Sequence, residues 1–348
     1  MTDKCKEAAA ALSEEHAAAW EALDAECTAL GVEPHIENML GRIRRKIDAT
    51  GAAEKVFGLT KPQMEALEGA IRSAIVEMAS PPEAEIPASL PHDDFAVWVR
   101  HARRRYAIEI FTTNYDVLVE RSLESARVPI FDGFIGSYAP YFSPEALDND
   151  ASMPSSDWIR LWKVHGSVNW EVRTGSVVRL TGPSSGEMIL PSHRKYDESR
   201  KQPYLALLDR LSRSMSREGT LLVTCGYSWN DEHINSAIVS ALDNRPANHA
   251  IALAHPPLDE VPNLCSLAAD RMNLVAVGPS EGILRRQRAE WALPNPISGP
   301  TASFIDIAYD SDALPEEDSS PITGRMRLGD FNWFCRFLLA MDSPALGM

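Results

Sequence analysis

The sequence predicts an α/β fold, a mostly parallel sheet with an added helical layer from the N-terminal third. Three observations predict it. The first 80 residues carry helical periodicity and no credible strand. Beyond them, short β-branched runs alternate with amphipathic helical ones. Three of those runs also end in a polar turn that opens the next helix, which is half of a βαβ unit. They are Ile108-Glu-Ile-Phe-Thr-Thr-Asn-Tyr-Asp116, Ile159-Arg-Leu-Trp-Lys-Val164 leading into His165-Gly-Ser-Val-Asn-Trp170, and Thr220-Leu-Leu-Val-Thr-Cys225 leading into Gly226-Tyr-Ser-Trp-Asn-Asp231.

In chain order, an Ala-rich helix is expected over 4–31, stopped by Gly31. A second runs to about residue 50, with Ile36, Met39, Leu40, Ile43 and Ile47 as its apolar stripe. The third starts at Thr60, where Lys61-Pro62 suits a first turn, and buries Met64, Leu67, Ile71, Ile75 and Met78. Residues 80–91 are a Pro-rich connection, and a helix over 93–104 feeds a strand over 106–112. The Gly/Pro/aromatic stretch 126–157 has loop chemistry with enough aromatics to form a lid or wall. A hairpin is expected from 176–180 and 187–190, then a helix over 202–217. The pattern continues with a strand over 220–225, a helix over 231–243 and strands over 249–254 and 272–277. Residues 291–322 form a Pro/Ser/Asp-rich loop or tether, and 328–341 an aromatic docking helix. The division expected is 1–92 helical, 93–290 the α/β domain and 291–348 the tether and docking helix.

Composition narrows the class. A net charge of −15 argues against nucleic acid as a partner of the chain as a whole. The basic clusters Arg42-Ile-Arg-Arg-Lys46 and Arg103–Arg105 are expected to be solvated helix faces or protein contacts. No run of about 18 apolar residues is present, so no membrane span is expected. The N-terminus does not resemble a signal peptide. Five scattered cysteines without a CxxC pair argue against a disulfide framework and a cysteine zinc ribbon. A cytoplasmic location is the expectation.

The three turns hold the candidate chemistry. Asn114 and Asp116, with Thr112 and Thr113 before them, suit a ribose, an amide or an attacking water. A helix-capping turn would need only one of these residues. His165 stands at a strand end before Gly166, placed to act as general base on a sugar hydroxyl or to hydrogen-bond its own loop. Gly226, Tyr227 and Ser228 make a strand-to-helix turn. The acidic Asp231 and Glu232 beside it favour ribose over pyrophosphate there, and His233 reads as structural.

Taken together and in this order, the three motifs resemble the sirtuin-like family, and more narrowly its bacterial antiphage-defence branch, over roughly residues 105–280. The resemblance implies a Rossmann-like sheet and NAD as a substrate. It implies that Asn114 positions water or ribose, that Asp116 orients the nicotinamide end, and that His165 is the catalytic base. Thr112, Thr113, Gly166, Gly226, Tyr227 and Ser228 are then NAD contacts. Without the zinc ribbon of the deacylases, the resemblance favours an NAD glycohydrolase with no metal, and defence by NAD depletion. The alternative it offers is a weakly active or inactive scaffold subunit of a multi-protein defence assembly, with an NAD-dependent protein deacylase as the less favoured third reading. Partners implied are further copies of the chain, a HerA-type hexameric ATPase or a short Argonaute-like protein. The family's strand and Gly-Ala-Gly-x-Ser phosphate loop do not precede the first helix here. Truncation, an incomplete site and substitution by another segment all remain open.

Overall fold

The computed structural model describes residues 2–31, 34, 36–51, 53–102, 104–148, 150–183, 203–293, 302–311 and 322–341. Its N-terminal layer holds four helices, α1 (Thr2–Leu12), α2 (Glu14–Ala29), α3 (Ile36–Ala49) and α4 (Lys61–Ala79). The single helix expected over 4–31 is broken at Ser13. That residue is extended (φ −174°, ψ 168°), and its hydroxyl accepts the His16 amide, so it caps a new helix inside the Ala-rich run. A short hairpin, β1 (Lys55–Val56) and β2 (Leu59–Thr60), corrects the expectation that this region has no strand. The stripes of α3 and α4 are buried as their spacing predicts, with Met78 only partly covered. Arg42 and Lys46 pair with Glu26, and Arg44 with Glu68, so this basic run is spent on contacts within the layer.

Tyr115 and Val168 belong to the same buried cluster as these helices. Both lie just beyond strand ends, so the helical layer seats directly on two of the three polar turns. From there α5 (Pro91–His101) leads into β3 (Glu109–Thr112), and α6 (Leu118–Ser125) follows. β3 pairs in parallel with β7 (Ile159–Lys163), which pairs in parallel with β4 (Ile130–Phe131). A second parallel run joins β10 (Leu221–Cys225), β11 (His249–Leu253) and β12 (Leu274–Val277).

The expected mostly parallel sheet is therefore divided. Among the described residues no strand pairs with the outer edge of β3 or of β10. What connects the two runs is side-chain chemistry. Arg210 and Ser214 of α8 (Tyr204–Met215), the helix that feeds β10, hydrogen-bond the Glu109 carboxylate on β3. Trp162 from one run also shares a core cluster with Ala250, Ala252 and Leu274 from the other.

Antiparallel elements are more numerous than the sequence pattern suggests. The second run is extended by the hairpin of β13 (Glu281–Leu284) and β14 (Gln287–Glu290), which was not expected. Its turn residues Arg285 and Arg286 take φ +50° and +69° without the Gly or Asn that normally marks such a turn. Within 126–157, β5 (Phe134–Ile135), β6 (Tyr141–Phe142) and α7 (Pro144–Asp148) form, and Phe134 and Phe142 are buried. The stretch is a packed wall there. β8 (Trp170–Arg173) and β9 (Ser176–Arg179) make the hairpin, and the sheet order is β5-β6-β9-β8. The partner expected for β9 at 187–190 lies outside the described residues.

Part of the expected tether is also structured. β15 (Ala292–Leu293), α9 (Glu232–Asn244) and α10 (Pro262–Asp270) complete the main body, while α11 (Ala302–Ala308), β16 (Tyr309–Ser311) and β17 (Ile322–Met326) form beyond it. β17 pairs with both β15 and β16. The chain then runs through Leu328-Gly329-Asp330 into α12 (Phe331–Met341). Leu328 and Gly329 offer their carbonyls to the Cys225 thiol at the end of β10, and Phe331 packs on His92 and Phe95 of α5. The docking helix thus bridges the two parallel runs.

Candidate functional site at the strand ends

β3 and β7 are parallel, so their polar turns emerge at one edge. Backbone and hydroxyl contacts lock them together. Val164 N donates to Thr112 O, Val168 N donates to Tyr115 O at 3.0 Å, and the Ser167 hydroxyl reaches the same carbonyl. The Thr112 hydroxyl accepts the Asn114 amide at 3.1 Å, which turns the chain and leaves Asn114 exposed. Asp116 Oδ1 accepts the amide of Leu118, the first residue of α6, at 3.0 Å. Thr113 is half-buried.

Lys163, only 3% exposed, closes this corner. Its ammonium donates to the Asp116 carbonyl and to Glu120 Oε1. Burial pushes the Glu120 carboxyl up in pKa even though Lys163 opposes it. His165 follows in the turn after β7, 5% exposed, and its Nε2 lies 3.1 Å from Asp231 Oδ2. Gly166 turns at φ +93°, in the region glycine favours.

Asp231 comes from the third turn. Its Oδ1 accepts the amides of His233 and Ile234 and caps α9. Burial raises its pKa, but the hydrogen bonds from His165 and those two amides outweigh it and hold the carboxyl below its ordinary value. A carboxylate hydrogen-bonded to a histidine ring fixes the ring's orientation. This carboxylate brings the ends of the two parallel runs into a single site.

Residues 108–274 match the family model of the SIR2-like domain. The chain carries a SIR2-like domain. The match begins at β3 and ends at β12, so it contains all three turns. No curated protein matches the chain.

Within the SIR2-like domain, the residues singled out from sequence divide by surroundings. Asn114, Asp116 and His165 stand at the linked ends of β3 and β7. Gly226 (φ +70°) and Ser228 are exposed on the turn after β10. Tyr227 is half-buried against Trp229, and its hydroxyl donates to Asn235 Oδ1 at 2.7 Å, an attachment that holds the turn. Sequence reasoning took Asp231 only as a dipole partner and a repellent to phosphate, and missed that it pairs with a histidine 66 positions away. His92 was missed too. It stands in the first turn of α5 with its Nδ1 buried and without a partner among the described residues. Among those residues no three His, Cys, Asp or Glu side chains converge as metal ligands would, and no helix is long and apolar enough to cross a membrane.

Proposed function

We propose that the SIR2-like domain is an NAD glycohydrolase, cleaving NAD with water to nicotinamide and ADP-ribose. The observation that carries this reading is the His165–Asp231 pair, placed where the Asn114 and Asp116 turn meets the turn after β10. The carbon–nitrogen bond to nicotinamide breaks with its electron pair leaving on the ring nitrogen, and positive charge develops on the ribose. A carboxylate and a histidine base favour that oxocarbenium-like state. Asp116 supplies negative charge near the sugar, and His165, oriented by Asp231, takes a proton from a ribose hydroxyl. Asn114, exposed and able to donate and accept, positions the water that adds to the same carbon. NAD is a substrate here. A role in antiviral defence through NAD depletion rests on the motif resemblance.

One observation favours a second reading, a scaffold subunit with little activity. At the N-terminus of α12, the helix beside the β10 turn, the amides of Asn332 and Trp333 are taken by Asp330 Oδ1, so this segment is no open phosphate cradle. Incubating the purified full chain with NAD separates the two. Nicotinamide and ADP-ribose should accumulate with the wild type and fail to do so with Asn114→Ala. A wild-type chain that leaves NAD intact, alone and with a co-purifying partner, would overturn the hydrolase.

A further inference from the structure

We propose that His92 is a ligand-binding residue of this same site, meeting the ribose hydroxyls beside Asp116 while Phe331 of the C-terminal helix holds its ring. The inference rests on the NAD reading above. His92 belongs to the first turn of α5, and the Asp116 carboxylate beyond the end of β3 acts electrostatically on its ring. That turn is fastened in place: Asp93 Oδ2 accepts the Leu90 amide at 2.8 Å, and its Oδ1 accepts the Ser122 hydroxyl of α6 at 2.7 Å. Leu118, the first residue of that same α6, donates its amide to Asp116 Oδ1.

Three features mark His92 as more than packing. Its Nδ1 is buried without a partner among the described residues, a cost that protein cores normally avoid. The carboxylates of Asp116 and Asp93 lie within electrostatic reach of the ring, yet burial outweighs them and lowers its pKa, which favours the neutral imidazole. Phe331 packs against it with ring centroids 5.0 Å apart and the planes tilted by 55°, which holds the ring by an apolar contact. A neutral imidazole beside a carboxylate suits a pair of hydroxyls, since one group donates and accepts and the other only accepts. The same pair repels a phosphate. The class of group is therefore a sugar diol.

The direct test is a titration of ADP-ribose into the full-length chain carrying ring-labelled histidine, followed by NMR. Signals are assigned with His92→Asn and His165→Asn. Both the His92 and His165 signals should shift in parallel and saturate. His92→Ala should weaken ADP-ribose binding about tenfold, the loss of one buried hydrogen bond, and His92→Gln should recover part of it. Phe331→Ala should also weaken binding with the fold retained. A His165 signal that moves while His92 stays still overturns the His92 assignment and leaves the NAD reading intact. No shift at either ring, with no ADP-ribose bound, overturns both. Unchanged affinity in Phe331→Ala overturns the link to the C-terminal helix.

Discussion

Lys163 shows how one buried charge shapes the candidate site. At 3% exposure its Nζ is received by the Asp116 carbonyl and the Glu120 carboxylate, the partners a buried lysine needs. Lys163→Met should therefore leave Glu120 buried and unpaired, and cost about 3 kcal/mol in denaturant unfolding. Unchanged stability would mean that the pair is not closed in solution. Glu109 gives a pH-dependent counterpart. Burial raises its pKa, but Arg210, Ser214 and Trp162 overcome this and hold it at about 2, against an ordinary 4.5. A depressed folded pKa stabilises the fold above the unfolded value, and this contribution fades as pH falls from about 4.5 toward 2. About 3 kcal/mol of stability should disappear over that window in acid titrations, and Glu109→Gln should flatten the dependence. At this scale the sequence was informative about residue type and silent about pairing. His165 and Asp116 stood out by their place after strands, whereas the Asp231 and His92 contacts join distant positions through the fold.

At the scale of elements, helices were legible because their apolar residues repeat. Ile36, Met39, Leu40, Ile43 and Ile47 are buried as that period requires. Breaks and turns were less so. Ser13 starts a new helix within an alanine run, and Arg285-Arg286 turn a hairpin without glycine. The C-terminal element was recognised as a docking helix from its aromatics, but its route was not. Gly329 explains part of that route: a Cβ there would collide with the Ala254 carbonyl, so the chain lies directly on the backbone beyond β11. Gly329→Ala should lift this crossing, at a cost of about 1–3 kcal/mol, and expose α12 to limited proteolysis before the rest of the domain. Cleavage kinetics identical to the wild type would contradict the close approach.

For the whole molecule, the α/β class and the parallel runs were readable from alternation, but their division was not. Strand pairing depends on which edges meet, and the local pattern of β3 or β10 carries no record of its neighbour. The divided sheet predicts a gradient of protection. β7 and β11 are paired on both sides, while β3 and β10 each have one unpaired edge among the described strands. Hydrogen exchange should be slowest in 159–163 and 249–253, and faster in 109–112 and 221–225. Equal protection across all four would show that another segment completes the sheet in solution.

The central claim is that the His165–Asp231 pair at the junction of these two runs drives the cleavage of NAD. Steady-state nicotinamide release by the full-length chain tests it most directly, with the wild type set against His165→Ala and Asp231→Asn. The wild type is expected to release nicotinamide, His165→Ala to lose at least about 100-fold, and Asp231→Asn to lose less at unchanged fold. Nicotinamide release that persists at the wild-type rate in His165→Ala would contradict it.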